Sequence, residues 1–162
     1  MNLYRVPMRT VAVEMLMDNG QSLAGDAFAC EVGPDGRPGR LSDRLNDRGE
    51  AFLPIRDGRG DEVLVHKSGI VWARMESETG ESVELDALAS RRVPVRMTLI
   101  GGVVRLGEFQ VWEREAAARL VDFLNSTERF VPLYDADGVL WVQRRQILCV
   151  RRIAARDSAA AS

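Results

Sequence analysis

Apolar residues along this chain alternate with other residues in short runs, and the runs recur. Val11, Val13, Met15 and Met17 occupy every second position, and so do Val93, Val95, Met97 and Leu99. Successive side chains of a strand point to opposite faces, so each set predicts a strand with one buried face. The dipeptides Asn19-Gly20 and Gly101-Gly102 follow, and apolar residues resume over Leu23–Cys30 and Val104–Trp112. Two strands flanking a glycine-containing tight turn predict a hairpin in both places.

The period then changes. Leu41 and Leu45, like Leu120 and Leu124, stand four residues apart and put an apolar stripe on one face of a helix, and Ala116–Ala118 raise helix propensity before the second pair. Asn46 and Asn125 fall where these helices should stop, because asparagine tolerates the left-handed conformation of a helix end. Phe52–Ile55 and Phe130–Leu133 read as strands again. Their prolines, Pro54 and Pro132, lack the ladder N–H and predict edge positions or strand ends. A last hairpin is predicted from Val63–His66 and Ile70–Met75 around a turn at Lys67–Gly69, and again from Val139–Val142, Gln143–Gln146 and Ile147–Arg152.

These parallels predict an internal duplication. The alternating residues, with Gly20 against Gly102 and Gly25 against Gly107, match at a separation of 82 residues. Arg40–Asn46 and Arg119–Asn125 share the pattern Arg-Leu-x-Asp-x-Leu-Asn at a separation of 79. Phe52 and Pro54 match Phe130 and Pro132 at 78, and Lys67, Ile70 and Arg74 match Arg144, Ile147 and Arg151 at 77. The drift accumulates in turn-rich stretches such as Gly33–Gly39 and Gly58–Asp61, where insertions are tolerated. The expected fold is mainly β with short helices (α+β). Two copies of a β-β-α-β-β-β small barrel-like module pack about a pseudo-twofold axis. The first module covers residues 1–75, a linker with a short helix at Val83–Leu88 covers 76–92, the second copy covers 93–156, and residues 157–162 form a disordered tail.

Val13-x-Met15-x-Met17-x-x-Gly20-x-x-Leu23-x-Gly25 resembles the first motif of Sm-like small β-barrels, and Val65-His66-Lys67-Ser68-Gly69-Ile70-Val71 is similar to their second. The resemblance implies a small bent antiparallel barrel, and with it RNA binding through loops in a ring of subunits. That family places its helix before the first strand, whereas the helix predicted here follows the second.

Composition adds the setting. An apolar content of 46% and a charged content of 28% suit a globular chain. No stretch approaches the roughly 20 apolar residues of a membrane span, and Met1–Thr10 lacks the apolar core of a secretory signal, so the cytoplasm is the expected compartment. Of 22 basic residues only Lys67 is lysine, a bias that GC-rich codons produce and that points to a bacterial source. A net charge of −2 creates no field that would draw the chain to nucleic acid or an anionic membrane. Cys30 and Cys149 are expected as free thiols. Each aligns with a tryptophan of the other copy, Trp112 and Trp72, which marks packing positions rather than nucleophiles.

Candidate chemistry is sparse. Asp43 with Asn46, and Asp122 with Asn125, recur in both copies and are the expected contacts for an unknown protein partner, whether another protein or a further copy of the chain. The expected role is that of a non-catalytic interaction module, a bacterial cytoplasmic adaptor or regulator whose exposed strand edges and helices meet its partner. The alternative is a single-stranded nucleic-acid binder using Trp141, Arg144, Arg145, Arg151 and Arg152 as a basic, aromatic strip. A third reading places an enzyme site around Asp43 or Asp122. His66, the one histidine, reads as part of a solvated hairpin and cannot build a histidine-rich metal site. The glycines precede no helix and no lysine of a phosphate loop, so no cofactor or metal is expected.

Overall fold

The structure, a computed structural model, describes residues 7–33, 36–75, 90–112, 120–125 and 128–154. The chain divides into two compact units, Met1–Glu78 and Thr79–Ser162. The predicted linker helix at Val83–Leu88, the alanine run and the tail lie outside the described residues.

The first unit contains β1 (Met8–Met17), β2 (Ser22–Cys30), α1 (Leu41–Asn46), β3 (Phe52–Asp57), β4 (Glu62–His66) and β5 (Ile70–Met75). Its strands are antiparallel and lie in the order β5-β1-β2-β3-β4. The second unit contains β6 (Ser90–Leu99), β7 (Val104–Trp112), α2 (Leu120–Leu124), β8 (Phe130–Asp135), β9 (Gly138–Gln143) and β10 (Ile147–Arg152), in the order β10-β6-β7-β8-β9. Each unit therefore runs its first four strands as a meander and lays the fifth against the first.

The period-two positions become the core, as the alternation requires. Val11, Val13 and Met15 of β1 are buried, and so are Val95, Met97 and Leu99 of β6. Leu41 and Leu45 of α1 are fully buried beneath the first unit's helix. β6 starts at Ser90, inside the stretch expected to be linker, because its ladder with β7 extends from Thr98↔Val104 to Ser90↔Trp112.

Two expectations are corrected. β4 and β5 do not form a hairpin, and neither do β9 and β10. A 3₁₀ turn, Lys67–Gly69 or Arg144–Gln146, carries the chain from one end of the strand order to the other, where β5 pairs with β1 and β10 with β6. The sheets are also not closed into barrels. Closure within a unit would need its fourth and fifth strands to pair, whereas β4 pairs with β3 and β9 with β8.

The prolines are accommodated by where ladders stop rather than by an edge. β3 lies between β2 and β4, but its pairing with β2 ends at Ile55↔Ala27, so Pro54 meets only Leu64 of β4. Pro132 likewise faces Trp141 of β9, and the ladder of β8 with β7 is confined to Tyr134↔Glu108.

Close passage of strands explains one glycine in each unit. A Cβ on Gly25 would stand 2.3 Å from the Arg56 carbonyl oxygen and 2.9 Å from Ile55 Cγ2. At Gly107 it would stand 2.5 Å from the Tyr134 carbonyl oxygen and 2.8 Å from Leu133 Cγ. Only glycine lets the second strand cross so near to the third.

A cation fastens each helix to its 3₁₀ turn. Lys67 is fully buried, and its Nζ donates to the carbonyl oxygens of Arg44 (2.8 Å) and Asp47 (2.6 Å) at the end of α1. Carbonyls at a helix C-terminus lack intrahelical donors and carry partial negative charge, so an ammonium there satisfies them and compensates its own burial. In the second unit Arg144 makes a longer contact, Nη1 to the Leu124 carbonyl oxygen at 3.5 Å. The backbone repeats the arrangement, with Lys67 N–H donating to Ala51 and Arg144 N–H to Arg129, each at 2.9 Å.

Candidate functional site: a groove along the last strand

β10 follows the same apolar run as β5 but meets a different environment. Ile70, Val71, Trp72 and Ala73 are buried in succession, so both faces of β5 are covered. Ile147, Leu148, Cys149 and Val150 are half-buried or exposed, with Leu148 62% exposed. β10 pairs with β6 on one side and ends the strand order on the other.

Along this strand runs a groove of about 790 Å³. Leu120, Val121 and Leu124 of α2 form one wall, and Ile147, Leu148 and Val150 of β10 form the other. Its lining includes four consecutive residues, Ile147 through Val150. Successive side chains on a strand point to opposite faces, so a surface touched by all four follows the strand's edge. A register shift between Ile147 and Cys149 against β6 loosens the ladder at the same point. Val121, 52% exposed, continues the apolar surface onto the helix.

Among the described lining residues Arg144 and Arg152 carry the charges, and Asn125 and Cys149 lie beside them. Among the described residues no acidic or aromatic side chain lines the groove. Exposed Arg145 and Arg151 lie in the preceding turn and on the strand itself.

The residues singled out in the sequence are distributed unevenly around this feature. Asn125 lines the groove, and Asp122 is exposed on α2 outside its lining. Asp43 is exposed and Asn46 half-buried on α1 in the other unit. Asp43 also acts within the backbone, its carbonyl oxygen accepting the Asp47 N–H at 2.8 Å. The basic, aromatic strip is divided. Trp141 is half-buried on β9 opposite Pro132, while Arg151 and Arg152 are on β10, and these strands occupy opposite ends of the unit's strand order.

His66 is held by its own turn, its Nδ1 accepting the Ser68 N–H at 3.2 Å and meeting the Ser68 hydroxyl, while its ring stands edge-on to Phe52 at 4.8 Å. Among the described residues no three His, Cys, Asp or Glu side chains gather as metal ligands. Cys30 and Cys149 are free thiols, half-buried and exposed respectively. No helix among the described residues is long and apolar enough to cross a membrane.

Val121 and Leu148 are surface residues that the sequence pattern does not single out. Their signal was the unbroken apolar run Ile147–Val150, which departs from the alternation of β1 and β6. The same run in β5 is core, so the run alone does not separate a doubly covered strand from an exposed edge. No protein-family model, curated protein or solved structure gives a significant match to this chain.

Proposed function

We propose that this chain is a non-catalytic protein-interaction module, a bacterial cytoplasmic adaptor or regulator, built from two copies of one small β module. The carrying observation is the groove along the outer edge of β10, where α2 and the strand present apolar side chains to solvent. A strand edge offers unpaired backbone donors and acceptors, and an adjacent apolar surface supplies the burial that makes their pairing worthwhile. Exposed apolar patches of this kind mark interaction surfaces. The duplication is supported by the common strand order, the paired close-passage glycines and the cation beneath each helix end.

Nucleic-acid binding has weaker support. Single strands are held by aromatic stacking beside a basic track, and Trp141 is at the far end of the strand order from the β10 arginines. The test is affinity capture from nuclease-treated lysate of the source organism, comparing the natural chain with Leu148→Asp. A protein retained by the natural chain and lost with the variant is the expected result. Recovery of the same material with both chains, or of nucleic acid that nuclease removes, counts against the reading.

A further inference from the structure

We propose that the β10 groove takes an extended acidic peptide segment, which adds as a strand to the edge of β10 and sets its carboxylates against Arg144 and Arg152. This deepens the protein-interaction reading and rests on it. Three features of the site select this occupant over others.

The first is the backbone. Among the described strands β10 pairs with β6 alone, so its other side presents N–H and C=O groups to whatever lies in the groove. A segment in extended conformation satisfies these groups at regular intervals, as a helix does not. The second is the wall opposite. Leu120, Val121 and Leu124 of α2 face Ile147, Leu148 and Val150 across the groove, so apolar side chains at alternate positions of the incoming segment are buried between helix and strand.

The third is charge. Both charged residues among the described lining are arginines, and Arg145 and Arg151 extend the positive charge along the turn and strand. Arginine pairs with carboxylate through parallel N–H donors, so acidic residues on the segment find matching partners while basic ones are repelled. Phosphate would meet the same arginines, but nucleic acid would find no aromatic surface among the described lining residues to stack on.

In the first unit the strand corresponding to β10 is covered, because Ile70–Ala73 of β5 are buried and Lys67 is enclosed by its carbonyl partners. The proposal places one segment on each chain, along β10.

The experiment measures binding of three fluorescein-labelled peptides, each the six-residue length of β10, in which valine alternates with glutamate, threonine or lysine. A single-stranded RNA oligonucleotide is the fourth probe, and sedimentation follows the state of the free chain. The glutamate peptide is expected to bind one per chain, with affinity that falls as salt rises. Arg152→Glu should weaken it about tenfold, and Leu148→Asp should weaken it at least as much. Both positions are exposed, so the variants keep the fold, which an unchanged urea midpoint verifies.

Equal binding of the threonine peptide, still abolished by Leu148→Asp, overturns the acidic preference and leaves the interaction module standing. Binding of RNA but of no peptide overturns both. A dimer of the free chain that Leu148→Asp dissolves gives the edge to a second copy and overturns the proposal, as does glutamate-peptide binding indifferent to both variants.

Discussion

The two units share a strand order and differ in what they do with the last strand. β5 is covered on both faces from Ile70 through Ala73, whereas β10, occupying the same place in its own unit, leaves Leu148 and Cys149 in solvent. The cations follow the same division. Lys67 is enclosed and makes two short bonds to the end of α1, while Arg144 is half-buried, reaches one carbonyl at 3.5 Å and lines a groove. A single architecture thus serves as closed core in one unit and as open surface in the other. The difference resides in a few residues around the first position of the 3₁₀ turn, the helix and the fifth strand.

Aspartate at matching positions of the two last strands should expose this contrast most strongly. Val71, 2% exposed, corresponds to Leu148, 62% exposed. Val71→Asp should destabilise the chain by about 4 kcal/mol, since it buries an unpaired charge, whereas Leu148→Asp should change stability by less than about 0.5 kcal/mol. Urea unfolding of the two variants measures both, and similar losses would mean that the strands are equally covered.

Where the units agree, matching changes should hurt equally. Gly25→Val and Gly107→Val each force a side chain into a carbonyl less than 3 Å away, and both should cost about 3 kcal/mol. A tolerated valine at either position, seen as an unshifted urea midpoint, would show that the strand crossing there can open.

The cations should again separate the units, with a smaller gap. Lys67→Met leaves two carbonyl oxygens without that donor in a buried place and should cost about 2–3 kcal/mol, against about 1 kcal/mol or less for Arg144→Met. Equal costs in thermal or urea unfolding would contradict the different burial of the two groups.

The smallest effect is expected at a surface pair found in the first unit. Arg44 Nε meets Glu50 Oε2 at 2.9 Å while Nη1 donates to the Phe28 carbonyl oxygen at 2.7 Å, tying α1 to β2. The Glu50 side chain is 41% exposed, so Glu50→Gln should lower stability by only about 0.5 kcal/mol, and the loss should shrink further in about 1 M salt.

Much of this fold was legible in the chain because its determinants are local. Alternation at Val11–Met17 and Val93–Leu99 located β1 and β6, and glycine-containing turns located the hairpins that follow. The leucine pairs marked both helices. The glycines at 25 and 107 stood out as matching positions, though the carbonyl that each must clear belongs to a strand some thirty residues later. Of the candidate site, Asn125 is expected from the sequence as a partner contact and the arginines at 144 and 152 as part of a nucleic-acid strip, while the exposed apolar residues between them carry no distinguishing signal.

By itself the sequence determined which segments are strands, where they turn and which of their faces is apolar, since these depend on neighbours within a few residues. Tertiary structure decided that β5 and β10 pair with the first strand of their unit rather than with the strand before them, that the sheets stay open, and that one apolar run is buried while its counterpart is exposed. The physical reason is that an apolar run encodes a preference for burial but not the partner that provides it. Strand pairing and coverage are settled only when distant segments meet.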